Sequence, residues 1–184
     1  VYVEQTTKPP NPERALTRVQ SPTTYISDEY KSDNNYVLSI YFEVVRDKIG
    51  KKNLVVGLCA FDLTVGDGIF YQTQSFNSDF EVVYEDIFRF MEAIDPKEIV
   101  LNVENCDSIG LSEIKDHLEL YRHQYYVREL KKDYYKLIYQ NEVLLKVFGN
   151  KSLLTPIEAL NLENQHMATM AIMLCLDFIY DHDE

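Results

Sequence analysis

Two neighbouring stretches decide the fold: Tyr36–Val45 (YVLSIYFEVV) and Leu54–Asp62 (LVVGLCAFD). The first is rich in β-branched and aromatic residues whose odd and even positions differ in character, which is typical of a strand. The second is almost continuously apolar, as expected of a strand covered on both faces at the centre of a sheet. A third apolar run, Gly68–Thr73 (GIFYQT), follows a Gly-Asp-Gly turn. The sequence therefore predicts three meandering antiparallel strands.

Downstream of these strands, helical and strand patterns alternate. Apolar residues at helical spacing predict a helix over Asp79–Ala93, with Asp79 as its N-cap, and EIVLNV (Glu98–Val103) follows at the crossover distance of a βαβ unit. The remaining predicted elements are a helix from Ser112, its cap, to about Leu120, a fifth strand over Tyr125–Leu130, a helix over Tyr134–Phe148 ended by Gly149-Asn150, a short helix opened by Thr155-Pro156, and a nearly all-apolar helix over Gln165–Tyr180.

This order predicts an α/β, ribonuclease H-like fold. Three antiparallel strands are followed by parallel strands in a mixed five-stranded sheet, flanked by helices and extended by extra C-terminal helices. The strand patterns also predict core residues, which are Leu38, Ile40, Val56, Leu58, Ala60, Ile99, Leu101 and Val127.

Charge argues against a DNA-binding surface on most of the chain. The 184 residues carry a formal net charge of -12, and the segment after residue 60 holds 10 basic and 23 acidic residues. Duplex-binding domains neutralise phosphates with clustered basic residues, so this acidic body repels DNA. The one basic run, Arg128 with Lys131, Lys132 and Lys136, is more typical of a solvated strand-to-helix junction.

Cysteine and histidine spacing indicates neither a disulfide framework nor a metal site. Cys59, Cys106 and Cys175 are an odd number of widely spaced thiols without a CxxC pair, which favours an intracellular, reducing setting. Buried structural thiols are expected at Cys59 and Cys175, which lie in apolar runs. The four histidines have neither metal spacing nor a nucleophile partner; they are His117, His123, His166 and His182. No apolar stretch is long enough to span a bilayer.

A metal-dependent nuclease is the alternative function that the fold raises, because such enzymes hold two metal ions with converging carboxylates. The first carboxylate is needed midway along the Tyr36–Val45 strand, where this chain has Ser39 and Tyr41, with Glu43 near the strand end. Ligands at the exit of the fourth strand would be Asn102, Glu104 and Asp107. Asp62 is expected to have a structural role in the hairpin. We therefore predict no catalytic, cofactor-binding or metal-binding residue in this chain.

Six motifs, in order, resemble the MutS family of mismatch-repair ATPases. They are Val1–Thr6 with Pro9-Pro10, Arg18–Thr24 (with Thr23 where glycine is usual), Asn34–Leu38, Gly57–Gly66, Pro96–Val100, and Leu162-Glu163 with the Ala168–Tyr180 helix. No single motif is specific, but the six motifs occur in the family's order and together extend over nearly the whole chain. The substituted Thr23 and the composition suggest a divergent organellar or giant-virus lineage.

The resemblance implies a non-catalytic connector domain within a longer parent protein. Residues 1–33 would be the end of the mismatch-recognition domain and its linker, 34–150 the connector, and 151–184 helices leading into the core domain. The sequence begins with Val1 and contains neither a P-loop nor a Phe-x-Glu wedge. These features are expected of a piece excised from such a parent protein. The proline-rich Thr6–Pro12 stretch would be a linker and hinge.

For the parent, the resemblance implies ATP and Mg²⁺ as cofactors in another domain, mismatched DNA bound through other domains, a dimer, and docking of a MutL-like partner. No cofactor and no membrane contact are expected for this chain itself. The sequence leaves the nucleus, an organelle and a viral factory open as the location.

Overall fold

The protein is described by a computed structural model covering residues 2–6, 14–19, 35–76, 78–106, 109–149 and 153–183. A two-stranded antiparallel sheet is formed by β1 (Tyr2–Thr6) and β2 (Arg14–Val19). The main sheet contains β3 (Tyr36–Arg46), β4 (Lys52–Asp62), β5 (Asp67–Gln74), β6 (Glu98–Asn105) and β7 (Gln124–Val127).

The main sheet has the strand order β5-β4-β3-β6-β7. Neighbours β3, β4 and β5 are antiparallel, whereas β6 runs parallel to β3 and β7 runs parallel to β6. Ile40 faces Leu58 and Leu38 faces Ile99 in this register. The predicted ribonuclease H-like topology is therefore confirmed.

Five α-helices complete the described part of the chain. They are α1 (Glu81–Ile94), α2 (Leu111–His117), α3 (Leu137–Phe148), α4 (Pro156–Ala159) and α5 (His166–Asp183), with short 3₁₀ helices at Leu120–Arg122 and Lys132–Tyr135. The predicted start of α4 is confirmed, since Thr155 and Glu158 form a reciprocal capping box in front of Pro156. No helix among these residues is both long and apolar enough to cross a bilayer.

Alternation along β3 divides the interior into two cores. Even-numbered side chains such as Leu38 and Ile40 pack with α1 and α2. Odd-numbered side chains such as Val37 and Tyr41 pack with α5, which is buried along most of its length. The sheet is thus covered on both faces, as the apolar β4 sequence predicts.

Helix α5 lies unusually close to the sheet. A Cβ atom on Gly57 of β4 would stand 1.8 Å from the backbone oxygen of Met167. The Ser39 hydroxyl donates to the backbone oxygen of Ala171 at 2.6 Å, and the Met167 amide donates to the Gln72 side chain at 3.0 Å. Only a glycine at 57 permits this approach.

One predicted core residue and two element boundaries, the end of β7 and the start of α3, were wrong. Val127 is 46% exposed, because β7 is an edge strand paired only with β6; the other seven core residues are fully buried. The fifth strand stops at Val127 and not at Leu130. The predicted helix start at Tyr134 is occupied by a 3₁₀ turn, so α3 begins at Leu137.

Both predicted side-chain caps of the first two helices were also wrong. The Asp79 amide donates to the Phe76 oxygen in a turn, so Asp79 lies one residue before the N-cap position of α1. That position is occupied by Phe80, which makes no side-chain cap hydrogen bond. Gly110 precedes α2, which therefore includes Ser112 and ends at His117, before left-handed Glu119.

The proline-rich stretch predicted as a linker lies largely outside the described residues. Its flanks pair with each other, with Thr6 opposite Arg14. The linker and hinge role of the stretch stays a prediction. Asn150, predicted to help end α3, also lies outside the described residues; Gly149 has the positive φ expected after a helix.

Candidate functional site

Parallel strands β3, β6 and β7 end at the same edge of the sheet, where open α/β sheets usually bind ligands. Polar side chains from β3 and β6, from the segment that follows β7 and from α5 meet there. We call this group the carboxyl-end cluster; it consists of Tyr41, Glu43, Asn102, Glu104, Arg128, Lys131, Tyr134, Tyr135, Asp177 and Asp181.

A strand-borne carboxylate of the cluster is bound by a tyrosine hydroxyl, since Tyr41 donates to Glu43 at 3.3 Å. A second tyrosine, Tyr135, lies near Tyr41, Glu104 and Glu43. Burial is the main cause that raises the pKa of Tyr135; Tyr41 opposes this effect, and the negative charges of Glu104 and Glu43 add to it. Phenols therefore lie beside both acids.

Ser39 occupies the position where a nuclease of this fold needs its first carboxylate. The side chain is fully buried, and its hydroxyl lies 2.6 Å from the backbone oxygen of Ala171 and 3.2 Å from that of Cys59. Helix α5 thus covers this point of the sheet. An aspartate here would face two carbonyl oxygens, which repel a carboxylate.

The other residues considered as metal ligands have structural partners or lie outside the described residues. Asn102 is buried, donates to the Arg128 oxygen at 2.9 Å and accepts from the Glu104 amide at 3.4 Å. Asp62 accepts from the Thr64 amide at 2.8 Å, which is the hairpin role predicted from the sequence. Asp107 is not among the described residues.

Asp177 anchors α5 to the chain that follows β7. The Tyr134 hydroxyl donates to its carboxylate at 2.8 Å, while Arg128 and Lys131 lie at 3.5 Å and 3.7 Å. Arg128 also pairs with Asp181. Burial, followed by the bond to Asp177, raises the pKa of Tyr134. This buried carboxylate is compensated by protein donors, as buried charges require.

The predicted basic run is therefore only partly a solvated junction. Arg128 and Lys131 point towards the carboxylates of α5, whereas Lys132 is exposed and Lys136 pairs with Asp133 at 2.6 Å. The basic residues themselves do not indicate this pairing in the sequence. The available signal was Asp177, a single acid inside an apolar helix, because such acids are usually paired.

The thiols and histidines serve packing. Cys59, Cys106 and Cys175 are buried thiols, and a bond to Cys59 together with burial raises the pKa of Cys175 well above its usual value. His117 stacks on Tyr84 at 4.5 Å, and His182 lies 2.7 Å from the Phe178 oxygen. Within the described ranges, no three His, Cys, Asp or Glu side chains converge as metal ligands.

Comparison with known proteins shows what the chain is similar to. No family model matches it. Over 93% of its length, however, it is 28% identical to a MutS homologue of Acanthamoeba polyphaga mimivirus that is assigned to DNA mismatch repair. The chain is MutS-like. The resemblance found in the six motifs is thereby confirmed, and the relative is a giant-virus protein. This MutS-like chain spans 17% of the length of that relative.

Two solved structures resemble the MutS-like chain more distantly. T. thermophilus RuvC, solved with a Holliday junction, has 11% identity and a TM-score of 0.42, covering 76% of this chain and 88% of RuvC. Ciona intestinalis endonuclease V, solved with inosine-containing DNA, has 11% identity and a TM-score of 0.31, covering 64% and 57%. At these scores the fold assignment rests on strand order and not on these neighbours.

Proposed function

We propose that this MutS-like chain is a non-catalytic connector that links a mismatch-recognition unit to an ATPase core. The observation that carries the proposal is the position of α5. This helix covers the face of β3 on which a nuclease would need an accessible carboxylate. Ser39 and Gly57 are committed to that helix by contacts with Ala171 and Met167. Chemistry at this face would require α5 to leave.

The same position of α5 against the sheet suits a mechanical role. Helix α5 is fixed near its start by Gln72, in its middle by Ser39 and near its end by Tyr134 and Arg128. A helix held at three levels moves with the sheet as one body, so a displacement at one end of this unit reaches the other without local rearrangement.

The proposed parent protein performs its chemistry elsewhere. Mismatched DNA would be bound by another domain, and ATP with Mg²⁺ would be hydrolysed in a third, in a dimer. In this proposal residues 1–33 end the reader, 34–150 form the connector, and 151–184 lead into the core. The acidic surface supports this division, since it disfavours phosphate contacts by the connector.

The connector would also dock a MutL-like partner in response to mismatch and ATP, within a reducing intracellular compartment. Such a relay requires two arrangements of the unit, each favoured by a different ligand state. The thiols are compatible with reducing conditions, because Cys59 and Cys175 lie side by side without a disulfide between them.

A metal-dependent nuclease is the second candidate, favoured by one observation. Glu43 and Glu104 lie on neighbouring parallel strands at the edge where such enzymes hold metal ions. Against it, Glu43 accepts a hydrogen bond from Tyr41 and the central β3 position is Ser39. We therefore rank the connector first.

Partner recruitment by the parent protein tests the connector proposal. We expect deletion of residues 34–150 to abolish mismatch- and ATP-dependent capture of the MutL-like partner while mismatch binding persists. An Arg128→Ala variant, which loosens the end of α5, should reduce capture without loss of folding, and Lys132→Ala, at an exposed position, serves as its control. Unchanged capture by a folded deletion protein would refute the relay.

A further inference from the structure

Two buried thiols lie side by side between β4 and α5. Cys59 of β4 and Cys175 of α5 belong to the same buried cluster and are 2% and 0% exposed. Contact with Cys59, followed by burial, raises the pKa of Cys175. No disulfide joins the two sulfurs. We call Cys59 and Cys175 the thiol pair; the proposed connector role makes no use of it.

The backbone around the thiol pair holds β4 and α5 close together. Ser39 is the β3 partner of Cys59, and its hydroxyl lies 3.2 Å from the Cys59 oxygen and 2.6 Å from the Ala171 oxygen. Cys175 follows Ala171 by four residues, so the two lie on the same side of α5. Gly57, two residues before Cys59, permits the close approach of the helix backbone. A disulfide requires such an approach, because bridged Cα atoms are only about 4.4 to 6.8 Å apart.

Burial protects the thiol pair while α5 covers the sheet. The thiolate and not the thiol is the nucleophile, and thiols buried in apolar surroundings are inert. The raised pKa of Cys175 keeps this thiol protonated in the closed structure. An oxidant therefore reaches the pair when α5 moves away from β4, in the kind of local opening that native proteins undergo.

We propose that the thiol pair is a site of reversible oxidation by a hydroperoxide, which joins α5 to β4 through a Cys59–Cys175 disulfide. With hydrogen peroxide, the Cys59 thiolate of the open state attacks one oxygen and the O–O bond breaks. Cys59 becomes a sulfenic acid, and the departing hydroxide takes up the proton that Cys59 released. The Cys175 sulfur then attacks the Cys59 sulfur, the S–O bond breaks, and the hydroxyl leaves with the Cys175 proton as water. Two electrons thus pass from the two sulfurs to the peroxide, which becomes two molecules of water.

The disulfide fixes α5 to the sheet until a dithiol reduces it by thiol–disulfide exchange. A cross-link between β4 and α5 closes a long loop, so it restricts the unfolded chain and stabilises the folded one. The proposal does not depend on the proposed function.

Mass spectrometry of the complete 184-residue chain after treatment with hydrogen peroxide tests the site. Remaining thiols are alkylated in denaturant, and digestion identifies the cross-linked peptides. We expect a Cys59–Cys175 disulfide that a dithiol removes, and a higher urea midpoint for the oxidised chain than for the reduced one. Cys106 should be alkylated in both, because it lies in the core on the other face of the sheet.

Two alanine variants provide the matched controls. Cys175→Ala should abolish the cross-link, whereas Cys106→Ala should still form it; circular dichroism verifies that each variant is folded. Absence of the cross-link in the wild type overturns the proposal. A cross-link that includes Cys106, or one that lowers the urea midpoint, also overturns it, because the two thiols would then not be joined in the native arrangement.

The requirement for movement of α5 is tested by the rate of cross-linking. Tyr134→Phe removes the hydroxyl that donates to Asp177 of α5 at 2.8 Å, so the helix should open more often and cross-linking should accelerate about tenfold. Tyr125→Phe, in the other core, should leave the rate unchanged. Equal rates in Tyr134→Phe and the wild type would show that α5 does not control access to the thiol pair, which contradicts the proposal.

Discussion

Gly57 shows how a single residue positions α5. Because its missing Cβ would lie 1.8 Å from the Met167 oxygen and 2.7 Å from the Ala168 nitrogen, any side chain must displace the helix backbone. We expect Gly57→Ala to lower the free energy of unfolding by about 2 to 4 kcal/mol, a value typical of overpacking in a rigid core. Urea unfolding monitored by circular dichroism measures the change.

The matched control for this substitution is Gly110→Ala. A Cβ at Gly110 would meet only the Ser112 hydroxyl, at 3.4 Å, and the backbone there is extended with negative φ. We expect a change within about 0.5 kcal/mol. If both variants lost the same stability, glycine would matter here for backbone freedom and not for the close approach of α5.

At the same scale, sequence patterns identified buried strand residues well and failed where geometry is not periodic. Leu38 and Ile40 follow from alternation alone. Val127 has the same strand character but lies on an edge, which only strand order reveals. Asp79 is a suitable cap residue, yet the Phe76–Asp79 turn shifts the helix start beyond it.

Among the elements, α5 depends on a buried polar bond for its position. Tyr134 donates to Asp177, which is 4% exposed. Tyr134→Phe removes the donor and leaves a buried acceptor short of a hydrogen bond, so we expect unfolding to become about 1 to 3 kcal/mol easier. Tyr125→Phe is the control, since Tyr125 is also partly buried but packs on the opposite core. Equal losses in the two variants would assign the effect to the loss of a tyrosine hydroxyl in general and not to its bond with Asp177.

The same bond predicts a dependence on alkaline pH. Burial, and then Asp177, raises the pKa of Tyr134, so the folded state favours the protonated phenol. The resulting stability is complete below the unfolded tyrosine pKa of about 10 and is lost as pH rises beyond it. We expect urea midpoints to fall from about pH 10 upward. In Tyr134→Phe, part of this decrease in the urea midpoint should disappear. The part that remains is expected from Tyr84, because burial also raises the pKa of Tyr84. Identical slopes in variant and wild type would contradict this origin.

The apolar character of α5 was evident from the sequence, but its place was not. Periodicity indicates that a helix is buried on nearly all sides, yet it does not say which sheet face buries it. The residues that answer this question are Gly57 and Ser39, and both are ordinary strand residues in the sequence. Periodicity also does not reveal the carboxyl-end cluster, because its residues are separated by up to 140 positions along the chain.

At the scale of the whole molecule, topology followed from the order of patterns, because crossover connections permit few arrangements of five such strands. Charge is the other whole-molecule property that sequence provides. With a net charge of -12, we expect the chain to bind duplex DNA more weakly than about 10⁻⁴ M at physiological salt, the weak end of non-specific binding. Fluorescence anisotropy with a labelled duplex measures this; saturable binding below that concentration would reveal a basic surface that the described residues do not show.

The last expectation concerns catalysis by the whole chain. Two-metal cleavage needs carboxylates that converge on both ions, whereas here the face of β3 is closed by α5 and Glu43 accepts a hydrogen bond from Tyr41. We expect no cleavage of duplex, hybrid or four-way-junction substrates with Mg²⁺ or Mn²⁺. Gel assays over several hours should show intact substrate for the wild type, Glu104→Gln and the exposed-site control Glu129→Gln alike. Cleavage that disappears in Glu104→Gln but persists in Glu129→Gln would place a metal site at the carboxyl-end cluster, because only Glu104 lies beside Glu43 at the shared ends of the parallel strands.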